Sequence, residues 1–257
     1  MNSSDIPRMP TTSTRNRKPI PILVYHQIAK APPKGSPFRS LYVAPEAFAR
    51  QMTLLKLLGY TGLSMSGLHP YLTGEREGKV VGITFDDGYK NNITNALPVL
   101  QAQGFSSTCY AVSGLLGKTN VWDKGLGIAQ TPLMNESDIR LWVSAGQEIG
   151  SHTRQHVNLL TTDDAGCRVD MALGKTGLES VIGQPVDHFC YPYGHYEPKH
   201  VAMARELGFV TATTTQRSRC LAQTDLQQLP RVPVLRSTSL PVFWLKVATG
   251  YEDRRKK

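Results

Sequence analysis

Short apolar runs alternate with helix-like segments along most of this 257-residue chain, and that alternation constrains its fold more than any other feature. Runs of strand character lie at residues 20–25, 80–85, 107–112, 148–151, 187–191, 209–214 and 228–235. Helical patterns lie between them. Pro45 to Leu58 carries Phe48, Met52, Leu55 and Leu58 on one stripe, starts on a proline and stops at Gly59. Asn91–Gln103, Ser137–Ser144, Thr162–Val181 and His200–Leu207 read the same way. Strands alternating with helices imply parallel βαβ units. About seven such units in one domain suggest an α/β fold of the distorted (β/α)7 barrel type. Expected organisation is a flexible basic arm over 1–18, one catalytic-size domain over 19–245, and a basic tail over 246–257.

Chemistry-bearing residues sit just past the C-terminal ends of these strands. His26 follows the first, Asp86 and Asp87 the second, His152 the fourth, and Tyr193 the fifth. In a (β/α) barrel those ends open on one face, where active sites lie. Asp86-Asp87-Gly88 on its own is also a turn signal. Two adjacent carboxylates at a buried strand end, however, repel each other unless a cation intervenes. His152 and His156 stand four apart, so a helical turn there would point both imidazoles the same way. Asp87, His152 and His156 are therefore three candidate ligands for a divalent metal, the number a catalytic site uses while keeping a position for water. Two imidazoles and a carboxylate suit Zn2+, and also Co2+ or Ni2+. Asp86 is left to take a proton from that water.

Three further residues enlarge the set. His26 is a candidate proton donor. The turn Tyr191-Pro192-Tyr193-Gly194 would preorganise the Tyr193 N–H as an oxyanion donor. Arg231 is a lone charge among Leu229, Pro230, Val232 and Pro233; buried, it needs a carboxylate, and Asp86 is a candidate. His69 and His195 have no comparable context. Tyr71, Trp122, Trp142 and Trp244 suit either a substrate groove or the core.

Composition sets limits. The formal net charge is +9, of which residues 1–18 hold +3 and the last seven +2, leaving +4 for the body. No basic stretch is interleaved with aromatics, which argues against a nucleic-acid partner. The basic ends would contact an anionic membrane or glycan at most peripherally. Cys109, Cys167, Cys190 and Cys220 form no CxxC pair, and reduced buried thiols are expected. The absence of an apolar leader or an 18-residue apolar span gives the expectation of a cytoplasmic monomer.

Taken together, these motifs resemble the polysaccharide deacetylase (NodB-homology) family. Thr84–Tyr89 is similar to its first motif, His152–His156 to its second and Tyr191–Gly194 to its third. The opening Pro21-Ile22-Leu23-Val24-Tyr25-His26 resembles the branch of poly-β-1,6-N-acetylglucosamine N-deacetylases, in which the strand bearing the acid histidine begins the domain. The resemblance implies a metal-dependent hydrolase that removes N-acetyl groups from N-acetylglucosamine-type saccharides, with Asp86 as base, Asp87 as ligand and His26 as acid. Other family members carry an arginine two residues before the third-motif proline. Here Cys190 stands there, and Arg231 is expected to take over its task. The alternatives are the same site acting on a non-polymeric amide (a lipid- or nucleotide-linked amino sugar, or a cyclic ureide) and an inactive glycan-binding module.

Overall fold

The computed structural model describes residues 17–255. In chain order the elements are β1 (Ile22–Tyr25), β2 (Gln27–Ile28), β3 (Tyr42–Val43), α1 (Pro45–Leu57), β4 (Thr61–Leu63), α2 (Met65–Thr73), β5 (Val80–Phe85), α3 (Asn91–Asn95), α4 (Leu97–Gln103), β6 (Thr108–Ala111), α5 (Glu136–Ser144), β7 (Glu148–Ser151), α6 (Asp164–Ile182), β8 (His188–Cys190), α7 (Pro198–Glu206), β9 (Thr211–Arg217), β10 (Leu229–Pro233) and α8 (Leu240–Ala248). β1 pairs in parallel with both β10 and β5. The ring β1-β10-β9-β8-β7-β6-β5 thereby closes into a seven-stranded parallel barrel. β4 is a spur that pairs with the first half of β5, while β6 pairs with its second half.

Closure places the core between barrel and helices. On α1, Phe48, Met52 and Leu55 are buried as the stripe requires, and Gln51 accepts a hydrogen bond from the Tyr25 hydroxyl at 2.9 Å. Phe85 packs against Tyr25, Phe48 and Trp142, which assigns Trp142 to the core. Inside the barrel, Tyr110 on β6 lies over Gly150 of β7. A Cβ at Gly150 would fall within 2.4 Å of the Tyr110 ring, so only glycine fits there.

Several boundaries differ from expectation for physical reasons. The helix expected over 91–103 is split at Ala96, because Pro98 has no N–H to continue the ladder. α2 escapes the periodicity reading because Gly67 and Pro70 lie within it; Ser64 caps it by accepting from the Gly67 N–H. The presumed arm is anchored at its end: Arg17 donates to the carbonyls of Leu72 (2.9 Å) and Ala222 (3.1 Å). The rest of the arm, 1–16, lies outside the described residues. The basic tail expected from 246 is corrected. Lys246 belongs to α8 and is buried, and Glu252 is fully buried against Lys246 and Arg217. All four cysteines are free and buried. No helix among the described residues is long and apolar enough to cross a membrane.

Candidate active site

β5 delivers the aspartate pair. Asp87 adopts a left-handed backbone (φ 73°), followed by Gly88 (φ 75°), and the two carboxylates serve different partners. Asp86 goes to Arg231 of β10. The guanidinium donates from both terminal nitrogens to the two carboxylate oxygens at 2.6 and 2.7 Å, and from Nε to the Thr214 carbonyl at 2.9 Å. It also lies 3.2 Å from the Cys190 sulfur, so Arg231 occupies the space beside the position where an arginine was expected. Burial alone would raise Asp86, but the charge and hydrogen bonds of Arg231 outweigh it and hold the carboxyl below the ordinary carboxylate range.

Asp87 faces two histidines. Its Oδ1 is 3.4 Å from His152 Nε2 and 3.4 Å from His156 Nε2. The expectation of a helical turn is corrected here. His152 follows β7 directly, and the chain then loops through left-handed residues at Thr153 (φ 66°) and His156 (φ 58°). The loop, with the Thr153 hydroxyl accepting from the His156 N–H at 3.0 Å, is what brings the second ring round. Non-glycine residues in that region are strained, and such strain concentrates at functional sites.

The donor set fits a metal ion. The three ligand atoms lie within 4.8 Å of one another. Two donors bonded at about 2.0–2.1 Å to one tetrahedral ion stand about 3.3–3.4 Å apart, the spacing found here and longer than an ordinary hydrogen bond. His152 Nδ1 donates to the Cys190 carbonyl at 2.8 Å, which turns its Nε2 lone pair toward Asp87. A lone pair facing a carboxylate requires a cation between them. Without one, a proton settles on His152: burial opposes it, yet the Cys190 and Asp87 contacts raise that ring well above its usual value. Burial lowers His156 instead. Asp87 is held well below the carboxylate range, because the two facing rings outweigh burial. The alternative trio Asp86, His152 and Cys190 also clusters, but there the carboxylate and the thiol already contact Arg231.

His26 is partly exposed, with Nε2 at 4.0 Å from Asp86 Oδ2. Asp86 is the only carboxylate within that distance of it among the described residues. Tyr193 is left-handed (φ 59°) in the turn after β8. The bonds closing that turn run from the Gly194 N–H to Tyr191 and from the His195 N–H to Pro192, which leaves the Tyr193 N–H outside them.

All seven predicted residues (His26, Asp86, Asp87, His152, His156, Tyr193 and Arg231) line one cleft of about 410 Å³ at the C-terminal end of the barrel. Trp122, Asp123 and His195 are among the other residues that line it. Trp122 stacks on His156, with ring centres 4.3 Å apart. Asp123 follows it on the same short 3-10 turn, and His195 bonds Asn158 at 3.2 Å. Trp122 was legible only as an aromatic of undecided place. Asp123 and His195 carried no periodic or motif signal.

A closed parallel barrel whose strand ends gather two aspartates, two histidines and a buried arginine defines a class of hydrolase-like (β/α)7 proteins. Its family follows from comparison: the polysaccharide deacetylase model matches residues 73–212, more than half of the chain, and the chain belongs to that family. YxkH of Bacillus subtilis (strain 168), which bears a polysaccharide deacetylase name, is 27% identical over 217 residues, covering 84% of this chain and 71% of its own. Among solved structures, Streptococcus pyogenes deacetylase PplD in complex with acetate matches with a TM-score of 0.79 at 24% identity, over 90% of this chain and 99% of its own. IcaB from Ammonifex degensii matches at 0.75 and 24% identity, over 87% of this chain and 94% of its own.

Proposed function

We propose that this protein is a metal-dependent N-deacetylase that releases acetate from N-acetylglucosamine-type saccharides. One observation carries the reading: a second carboxylate, Asp86, stands beside the Asp87–His152–His156 donor set yet is held apart from it by Arg231. Hydrolysis needs both a metal cradle and a free base, and adjacent residues supply the two. The metal, most reasonably Zn2+ with Co2+ or Ni2+ as substitutes, would be held by Asp87, His152 and His156. It would supply Lewis acidity and bring water to a pKa of about 7.

The chain's own groups carry the remaining work. Asp86, kept ionised by Arg231, accepts a proton from the attacking water as its oxygen bonds to the acetyl carbon. The Tyr193 N–H donates to the carbonyl oxygen as negative charge develops there, an interaction typically worth about 3–4 kcal/mol. His26, 4.0 Å from Asp86, gives its proton to the departing nitrogen as the C–N bond breaks. General acid assistance of this kind contributes on the order of 10²–10⁴-fold. Acetate and a free amino sugar leave. The cleft volume lies within the range of small-ligand sites, so it takes one acetamido sugar at a time.

The test is acetate release by metal-reconstituted protein from N-acetylglucosamine polymers, oligomers, nucleotide-linked amino sugars and cyclic ureides. Asp86→Asn serves as control. Release from the saccharides, abolished in Asp86→Asn with metal content unchanged, supports the proposal. Activity confined to ureides, or metal-loaded protein inert on every amide, refutes it.

A further inference from the structure

We propose that Asp123 reads substrate charge: its carboxylate binds an ammonium group on a de-N-acetylated sugar beside the reacting acetamide. This selects neutral-to-cationic glycans over acidic ones. The inference rests on the deacetylase reading of the same cleft.

Compensation of charge leads to it. Three aspartates line the cleft. Asp87 faces the two imidazoles, and Asp86 is engaged bidentately by Arg231. Asp123 has only the Asn120 amide, which donates to it at 2.9 Å; among the described residues no cation lies within 4.0 Å. No lysine lines the cleft, and its single guanidinium is the one committed to Asp86. Asp123 is thus the one cleft aspartate without a basic partner of its own among the described residues.

Position makes that charge relevant to substrate. Asp123 is next to Trp122, whose indole stacks on His156, so its carboxylate is tied to the wall of the reaction centre. In the same cleft, Tyr193 (42% exposed) and Phe38 (52% exposed) offer flat apolar faces of the kind sugar rings lie on. A sugar seated against these rings sets its neighbour's C2 substituent toward the cleft rim. An acetamide there is neutral, an ammonium is attracted, and a carboxylate is repelled.

Three pentasaccharides of one linkage provide the experiment: fully N-acetylated, singly de-N-acetylated at an interior sugar, and bearing one carboxylate at that position. The readout is kcat/KM per acetamide. Wild-type protein is expected to favour the ammonium-bearing over the carboxylate-bearing oligomer by about tenfold or more, as a charge-assisted contact would give. That ratio should shrink as salt rises toward about 1 M, where screening acts within about 3 Å. Asp123→Asn should bring the ratio close to one, and Asp123→Glu should retain its direction. The salt dependence is read on wild-type protein and stands whatever the fold of the variants. A wild-type ratio near one, a ratio insensitive to salt, or an Asp123→Asn protein that keeps the preference overturns the inference while leaving deacetylation intact. Absence of acetate from all three oligomers overturns both.

Discussion

The indole of Trp122 lies against the imidazole of His156 with ring centres 4.3 Å apart and planes 19° apart. Tyr193 meets the same imidazole edge-on at 4.5 Å. His156 needs these rings because its buried Nδ1 has no hydrogen-bond partner among the described residues. His152, by contrast, is aimed by the Cys190 carbonyl. One candidate ligand is thus oriented by hydrogen bonding and the other by stacking.

Trp122→Ala should therefore weaken metal binding by about 10–100-fold, the usual cost of losing a group that orients a ligand. Trp122→Phe, which keeps a flat face, should recover most of it. Competition with a chelator measures the affinity. An alanine variant with unchanged metal affinity would show that stacking does not hold His156.

Arg231 and Asp86 form a pair in which both side chains are almost wholly buried. Removing one partner from such a pair costs about 3–5 kcal/mol, because the other charge is left uncompensated. Arg231→Met should lower stability by that order and remove most acetate release. Arg231→Lys should not restore it, since a single ammonium cannot reproduce two parallel N–H donors. Chemical denaturation and turnover, measured together, check both halves. Full turnover in Arg231→Met would show that Asp86 needs no such partner.

Much of this site could be read before the coordinates, for identifiable reasons. β5 and its Asp86-Asp87-Gly88 ending combine an apolar run with a turn, and both signals are local. Arg231 was legible because a charge inside Leu229–Pro233 has no solvent to reach. The path from His152 to His156 differs from the helical expectation because a four-residue spacing fits a helix as well as a loop, and left-handed backbone at Thr153 leaves no trace in composition. Asp123 lies in a stretch without periodicity, where only the surrounding fold decides which side chains face the cleft. Residues 246–257 read as a tail because charges at the chain end look solvated. Their burial depends on Arg217 of β9, thirty-five positions before Glu252.

The Asp86–Arg231 pair also fixes a pH dependence. Asp86 titrates below its unfolded value of about 3.9, so it adds stability above that value and loses it as pH falls through the lower folded value. In Arg231→Met burial is opposed only by His26 and His152, so the folded value rises and most or all of that contribution is lost. The stability gap between wild type and variant should then be widest near pH 7 and close on acidification. Urea midpoints of chelator-treated protein across the acid range measure it. A gap independent of pH would remove Asp86 as the group responsible.

The C-terminal segment tests whether the chain end is structural. Glu252 is fully buried, accepts from Arg217 Nε at 2.8 Å and Nη2 at 2.7 Å, and pairs with Lys246, which also donates to the Pro233 carbonyl at 2.8 Å. Asp253 accepts from Arg219 Nη2 at 2.8 Å. These contacts tie the segment after α8 to β9 and β10, the strands that bring Arg231 to Asp86. Truncation after Thr249 removes the carboxylate while leaving the buried Lys246 ammonium behind, at a cost of about 3–5 kcal/mol. Arg217 is partly exposed and adds little to that figure, since water screens it. Arg254→Ala, at an exposed side chain, should change stability by less than about 0.5 kcal/mol. Thermal melts of the two proteins beside wild type separate the cases. Equal melting temperatures for truncated and full-length protein would return this segment to the status of a solvated tail. A large loss for the truncation alone, together with weaker acetate release, places Glu252 among the residues that hold the barrel around its site.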